Sequence, residues 1–313
     1  MTTASANHAM NFREWIMLLT LSFVWGGSYF FVELAVTALP PLTVVMGRVG
    51  IASFALWIFM RVIGQAMPTS PHVWTAFLMM GLLNNAIPFS LIVWGQTHVS
   101  GGQASILNAT TPIFTVIVAH LFTSDEKMHP RHTVGIGLGF LGVVVMMGGA
   151  FRDGSGNSLL AQAAFVAAAI SYAFSAVFGR RFRALGVAPM QIATGQVTAS
   201  ALMMLPLVLY IDRPWQFVSG QVAPPGSIAL LAVLGLALAS TAFAYVLYFR
   251  ILASAGATNL SLVTMLVPPT AIILGILILG EILKAHHLAG LVLIVAGLLM
   301  IDGRLAAFGR DRR

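Results

Sequence analysis

The side chains in this sequence that could bind a small molecule are aromatic rings, hydroxyls and amides inside long apolar runs. Ser28 and Tyr29 follow Trp25 at steps of three and four residues, which places all three on one face of a helix. A later apolar run repeats the theme with Tyr172 and Ser175. In lipid, such side chains should face other helices or a water-filled cavity. The pattern suits a neutral or zwitterionic ligand with an apolar part, and close helix packing is the alternative.

Three apolar runs contain prolines, which bend a helix and free the carbonyl four residues earlier. They are Pro88, Pro112 and Pro268, the last followed by Pro269. Broken helices at matching places in two halves of a chain are typical of transport sites, and a kink that only shapes packing is the alternative. With the amides and hydroxyls near these breaks, the predicted substrate-binding set is Trp25, Ser28, Tyr29, Asn84, Gln103, Asn108, Thr111, Tyr172, Ser175, Tyr245, Asn259 and Thr264. Tyr248 lies nearer a span end and is more typical of the aromatic belt at the membrane surface.

Two formal charges, Glu33 and Arg48, fall within the apolar runs. A charge in lipid needs a partner or a path to water. We expect these two side chains to form an ion pair that ties two helices, with binding of a substrate carboxylate by Arg48 as the alternative. Glu126 and Glu281 follow corresponding apolar runs and suit a gate contact. The predicted structural or gating set is therefore Glu33, Arg48, Pro88, Pro112, Glu126, Pro268 and Glu281.

The remaining polar residues form no motif for metal or nucleotide chemistry. His129 and His132 flank Pro130, and His286 adjoins His287, but no carboxylate joins either pair at a ligand spacing. The chain has no cysteine, which excludes disulfides and thiolate metal sites. We expect no catalytic residue, no metal and no cofactor.

The composition indicates an integral helical membrane protein. Charged residues make up 8% of the chain, hydrophobic residues 58%, and the mean hydropathy is +0.92. No charge lies between Arg61 and Asp125, or between Arg213 and Arg250, and these runs exceed the roughly 20 residues that cross a bilayer. The net charge of +7 sits in short loops, where it orients helices and contacts anionic lipid rather than nucleic acid.

The sequence contains an internal duplication. Gly81, Phe89, Ser100 and Gly102 recur 154 residues later, and Glu126, His132, Gly135, Gly142 and Gly148 recur 155 residues later. We predict an all-α membrane fold of ten transmembrane helices arranged as two inverted five-helix repeats, 14–150 and 157–303, with tails 1–13 and 304–313. The predicted spans are about 14–36, 41–60, 73–95, 102–123, 132–150, 157–179, 188–211, 225–249, 255–279 and 286–303.

The Lys and Arg distribution predicts the orientation. With a cytoplasmic N-terminus, inside segments hold twelve of these residues and outside loops hold three. Both termini should therefore be cytoplasmic. Because each repeat has an odd number of spans, the second repeat should enter the membrane upside down relative to the first.

Several short strings, taken in order, resemble the EamA-type drug/metabolite transporter superfamily. They are Trp25-Gly26-Gly27-Ser28, Pro41 followed by Arg48, Ala109-Thr110-Thr111-Pro112, and Gly280-Glu281; Ser124-Asp125-Glu126 departs from the family's usual Gly-Glu. The resemblance implies export of small molecules across the inner membrane, with a cavity between two five-helix halves. Some similar members export amino acids, including aromatic ones.

The resulting prediction is a secondary transporter in the inner (plasma) membrane that exports small amphipathic metabolites, amino acids first, by alternating access. A membrane-embedded lipid or head-group transferase is one alternative, but it would need a cluster of Asp, Glu or His on one face. A passive channel is the other. The expected partners are a small-molecule substrate and membrane lipids, with no nucleic acid, and a monomer is plausible.

Overall fold

The computed structural model describes residues 10–124, 127–152, 156–221 and 223–302, and the regular structure within these ranges is helical, without strands. Seven helices are long and apolar enough to cross a membrane, and three further apolar stretches are shorter: His132–Gly148, Val263–Leu279 and Ala285–Ile301. The protein is thus a multi-pass membrane protein, while ten crossings stay a prediction. The long helical segments in chain order are α1 Phe12–Ala35, α2 Pro41–Val62, α3 Pro71–Gly95, α4 Gly101–Phe122, α5 Pro130–Arg152, α6 Gly156–Gly179, α7 Pro189–Ile211, α8 Ser227–Gly256, α9 Val263–Leu279 and α10 Ala285–Asp302.

Local sequence signals fix where several helices begin. The Asn11 side chain accepts from the Glu14 amide at 3.0 Å, and the Asn11 amide donates to the Glu14 carboxylate at 2.9 Å, which forms a capping box at the start of α1. Helices α2, α3 and α7 begin at Pro41, Pro71 and Pro189. Proline suits a first helical position because its missing N–H would have no partner there.

The junction of α8 and α9 differs from the prediction. The eighth span was expected to end near residue 249, but α8 continues to Gly256. The helical path bends there because Gly256 has φ +81°, a conformation that glycine adopts without steric penalty. A short helical stretch follows to Leu260, and α9 starts at Val263 rather than near residue 255.

The proline-broken helices are confirmed in α3 and α4, with a different arrangement in α9. A π-helical turn, Leu82–Ala86, precedes Pro88 in α3, and α4 is interrupted at Ala109 and Thr110 just before Pro112. In α9 the helix runs through Pro268 and Pro269, and the interruption lies upstream at Ser261 and Leu262. Two more π-helical turns lie in α8, Leu238–Phe243, and in α9, Gly275–Leu279.

Each helix and its counterpart in the other half of the chain have corresponding neighbours. Helix α1 packs on α8 and α9, α6 packs on α3 and α4, α2 packs on α7, and α5 packs on α10. At the α5–α10 crossing, Gly135 faces Gly297 and Gly142 faces Gly290. These glycines correspond in the duplicated sequence, so exchanging the two halves leaves the contacts unchanged.

The helices enclose two large apolar cores. One core includes Leu18, Ile106, Phe165 and Ile294, and the other includes Val45, Phe89, Val197 and Leu236. Tyr172 packs against both cores. The boundary between them is where the polar side chains of the interior gather.

Candidate functional site

The centre of the molecule holds an amide and hydroxyl network from four helices. The Asn84 amide nitrogen, on the π-helical turn of α3, donates to Gln196 Oε1 at 3.2 Å and to the Tyr245 hydroxyl at 3.1 Å. The Asn84 carbonyl oxygen accepts from Ser175 Oγ at 3.0 Å. Asn85 on the same turn also donates to the Tyr245 hydroxyl, at 3.1 Å. The structure therefore brings together three predicted residues, Asn84, Ser175 and Tyr245.

Arg48 lies beside this network and does not pair with Glu33, so the expected ion pair is wrong. Its Nε donates to Thr241 Oγ1 at 2.9 Å, and its guanidinium lies 3.7 Å from the centre of the Phe89 ring. Thr241 is held in turn by its bond to the Leu236 carbonyl, at 2.8 Å, within the π-helical turn of α8. The guanidinium thus contacts a hydroxyl and an aromatic ring at the centre. The Glu33 carboxylate instead accepts a hydrogen bond from the Gly101 amide.

These residues form what we call the central polar cluster, and most of its side chains are buried. Arg48 is 6% exposed and Asn85 is 0% exposed. The phenol groups of Tyr172, Tyr245 and Tyr29 lie within electrostatic range of the guanidinium. The members of the central polar cluster are Tyr29, Arg48, Asn84, Asn85, Phe89, Tyr172, Ser175, Gln196, Thr241 and Tyr245.

Other predicted residues of α1 and α4 lie close to the central polar cluster, but their side chains make contacts outside it. Trp25 packs on Tyr248, with ring centres 5.8 Å apart. The hydroxyl of Ser28 donates to the Trp25 carbonyl at 2.6 Å, and that of Thr111 donates to the Asn108 carbonyl at 2.7 Å. The Asn108 carbonyl is one that Pro112 frees, so Thr111 replaces the missing helical bond.

Three predicted residues lie at the helix breaks. Gln103, in the first turns of α4, contacts His287 of α10, with 2.8 Å between Nε2 atoms. Asn259 donates to the Ala255 carbonyl at 3.0 Å, and Thr264 donates to the Ser261 carbonyl at 2.8 Å, around the junction of α8 and α9. These side chains organise the ends of α4 and α9 rather than the central polar cluster.

Two glutamates from opposite halves meet at the start of α4. The Gly101 amide donates to Glu33 at 2.9 Å, and the Gly102 amide donates to Glu281 at 3.0 Å. A helix N-terminus favours carboxylates because its amides lack helical partners and its dipole is positive there. A Cβ atom at Gly102 would lie 2.7 Å from Glu281 Oε2, so a larger residue there would displace the carboxylate. Glu126, the predicted counterpart of Glu281, lies outside the described residues.

A cavity of about 500 Å³ opens beside the central polar cluster rather than within it. Leu83, which directly precedes Asn84, forms part of its wall. Its other lining residues are Phe122, Thr123, Ser124, Phe174, Val177, Phe178, Arg180 and Arg181. The cavity lies against the ends of α4 and α6, and it reaches the π-helical turn of α3 at Leu83.

The chain matches the EamA-like transporter family over residues 13–148 and 159–302, nearly its whole length. The chain belongs to the EamA-like transporter family. An uncharacterized inner membrane transporter of Escherichia coli, YedA, is 29% identical over 303 residues, covering 94% of each chain. An uncharacterized Bacillus subtilis transporter, YoaV, is 24% identical over 287 residues, covering 90% of this chain and 94% of that protein.

Two further similarities to this EamA-like transporter bear on activity and on fold. A protein of Streptantibioticus cattleyicolor named a probable terminal-alkyne amino-acid exporter is 26% identical over 300 residues, covering 95% of each chain. A solved crystal structure superposes with a TM-score of 0.65 at 18% identity, covering 92% of this chain and 96% of that one. The second similarity establishes the shared fold alone.

The EamA-like transporter has central residues that were absent from the predicted sets. Gln196 and Phe89 contact the centre directly, and both carried a signal in the duplication: Gln196 corresponds to Arg48, and Phe89 recurs as Phe243. Thr241 lies four residues before Tyr245, the spacing of one helical face. Tyr248 packs on Trp25 inside the bundle, where a membrane-surface position was expected.

Proposed function

We propose that this EamA-like transporter exports small amphipathic metabolites, with amino acids, including aromatic ones, as the first substrate class. The central polar cluster is the observation that carries this proposal. Its side chains come from both halves of the chain, and three lie on π-helical turns of corresponding helices, α3 and α8. Such turns occur frequently at functional sites because they break the regular bonding of a helix.

The chemistry of the cluster suits a molecule with polar and apolar parts. Amide and hydroxyl groups of Asn84, Gln196 and Tyr245 supply hydrogen bonds, and the rings of Phe89 and Tyr172 supply apolar surface. Small-molecule sites commonly combine a mostly apolar lining with a few placed polar groups. The name of the relative in Streptantibioticus cattleyicolor supports amino acids within this class.

We further propose that the repeats 14–150 and 157–303 are inverted. By rocking against each other, they would open the central polar cluster to one side of the membrane and then to the other. The corresponding neighbours of the two halves and the paired glycines of α5 and α10 support this arrangement. The Lys and Arg distribution supports cytoplasmic tails at 1–13 and 304–313, and the naming of YedA supports the inner membrane. Membrane lipids surround the bundle, and a monomer would suffice.

The contacts at the start of α4 suit an outer gate in this proposal. Glu33 belongs to the first repeat and Glu281 to the second, and both accept from adjacent amides of α4. Separation of the halves would break at least the bond from Gly102 to Glu281. Opening on that side would then require a ligand or a proton to compensate the exposed groups.

Uptake into proteoliposomes tests the substrate class. We expect saturable, competed transport of at least one amino acid from a panel that includes aromatic ones. Tyr245→Phe removes the hydroxyl that accepts from Asn84 and Asn85. Leaving these two interior amides without that acceptor should lower the transport rate about tenfold or more. Radiolabelled uptake at several concentrations gives both rate and KM.

The matched control is Tyr210→Phe, which changes a side chain that is 80% exposed on α7 and should leave transport unchanged. Absence of transport for every amino acid would overturn the substrate class. Uptake that never saturates would instead indicate a channel, and turnover of a lipid by the purified protein would indicate a transferase.

A further inference from the structure

We propose that Arg48 binds an anionic group of the transported molecule, so that the central polar cluster selects substrates that carry a carboxylate. This inference rests on the proposed function and narrows it. It assigns to Arg48 the role that the sequence offered only as the alternative to an ion pair.

The bonding of the guanidinium is incomplete. A guanidinium has five N–H donors. In the described part of the chain, the Nε–H bonds to Thr241, and the Phe89 ring covers one face of the group. The two terminal amino groups have no hydrogen-bond partner among the described residues. They form the planar fork that binds a carboxylate through two parallel hydrogen bonds.

Among the described residues, no carboxylate bonds to the guanidinium. Its contacts are the neutral Thr241 hydroxyl and the Phe89 ring, and the phenol groups of three tyrosines lie within electrostatic range. Glu33, the carboxylate that shares the apolar runs with Arg48, accepts from the Gly101 amide instead. A buried charge without a partner is strongly unfavourable in a membrane protein, and a bound anion would relieve it.

A second polar group of the central polar cluster is incompletely bonded. Asn85, four residues before Phe89 on α3, is fully buried, and its carbonyl oxygen has no partner among the described residues, while its amide nitrogen bonds to the Tyr245 hydroxyl. Turning the amide group over would exchange the two ends and still leave one of them unpartnered. A ligand with a carboxylate and a second polar group close to it would therefore satisfy both Arg48 and Asn85, as an α-amino acid does.

Matched pairs of probes test the inference. L-phenylalanine and L-leucine carry a carboxylate, whereas L-phenylalaninamide and L-leucinamide keep the side chain and the amine but lack it. We expect proteoliposome uptake to favour each acid over its amide by about tenfold or more, since a hydrogen bond to a charged group is at stake. Uptake into protein-free liposomes is subtracted. Thermal stabilisation of the purified protein should follow the same order.

Two variants and one control connect this preference to Arg48. Arg48→Gln should reduce the acid-to-amide ratio to near one, and Arg48→Lys should keep the preference with a raised KM, because lysine retains the charge but lacks the fork. Arg61→Gln is the control: it is the same substitution on α2, exposed and about 20 Å further along the helix, and it should keep the wild-type ratio. The ratio is internal to each variant, so altered protein yield does not change it.

The outcomes separate the two proposals. Transport of acids and amides at equal rates by the wild-type protein, or an unchanged ratio in Arg48→Gln, would overturn the role of Arg48 and leave the transporter of amphipathic metabolites standing. If Arg48→Gln does not fold, an unchanged KM for the acid in Arg48→Lys would overturn the same role. Absence of transport and of thermal stabilisation for all four probes and for the whole amino-acid panel would overturn both.

Discussion

Asp212 stabilises the start of a helix that belongs to the other half of the chain. Helix α2 begins after Pro40, which offers no side-chain cap. The Asp212 carboxylate fills this role from the end of α7: it accepts from the Thr43 amide at 2.6 Å and from the Thr43 hydroxyl at 2.8 Å. A carboxylate at a helix N-terminus also interacts favourably with the helix dipole.

Removal of this carboxylate should destabilise the protein. Asp212→Ala leaves the Thr43 amide without its acceptor and should lower the free energy of unfolding by about 1–2 kcal/mol. Thermal unfolding in detergent measures the loss as a lower Tm. Thr43→Val keeps the bond to the amide and should give a smaller drop. An Asp212→Ala protein as stable as the wild type would show that the contact contributes nothing.

The charges within the membrane illustrate what residue types alone could and could not predict. Glu33 and Arg48 were recognisable as functional candidates because charges in apolar runs are rare. Their partners were not predictable, since they depend on which backbone amides and hydroxyls the fold brings near. Glu33 accepts a hydrogen bond from the Gly101 amide, and Arg48 donates one to Thr241, which lies 193 residues away in the sequence.

At the scale of the helices, glycine permits the close crossing of α5 and α10. A Cβ atom at Gly142 would lie 2.7 Å from the Gly290 carbonyl oxygen, and one at Gly290 would lie 2.7 Å from the Gly142 carbonyl oxygen. Small residues at such crossings let helix backbones approach in a membrane, where packing replaces the hydrophobic effect as the driving force. The crossing fixes how α5 and α10 join the two halves.

A pair of substitutions on α5 tests this crossing. Gly142→Ala places a methyl group against backbone and should destabilise the protein by about 1–3 kcal/mol. Gly137→Ala is the matched control, because nothing lies within 4 Å of a Cβ there, and it should be neutral or stabilising by up to about 1 kcal/mol. Thermal unfolding of both variants in detergent gives the comparison. Equal Tm values would contradict the role of the glycine crossing.

The sequence predicted most helix positions but not their internal irregularities. The breaks of α3 and α4 could be predicted because proline lacks the N–H that a helical hydrogen bond needs, and prolines are recognisable in the sequence. The π-helical turn of α8, Leu238–Phe243, contains no proline or glycine, and it depends on the packing of its neighbours. The position of Thr241 against Arg48 therefore could not be predicted from spacing alone.

At the scale of the whole molecule, the duplication links sequence to function. Corresponding helices have corresponding neighbours, and the central polar cluster takes Arg48 and Asn84 from one half and Gln196 and Tyr245 from the other. The near-constant offset in the sequence predicted which helices of the two halves correspond to each other. It did not predict which residues differ at matching places, and those differences, such as Arg48 opposite Gln196, give the site its polarity.

Opposite orientation of the two halves is the central claim, and cysteine labelling in intact cells tests it most directly. The chain has no cysteine, so single cysteines can be introduced at Thr97, in the α3–α4 loop, and at Ser254, near the matching α8–α9 junction; both positions are exposed. A membrane-impermeant thiol reagent should label the Thr97→Cys protein from outside and the Ser254→Cys protein only after permeabilisation. Labelling of both from the same side would contradict the inverted arrangement.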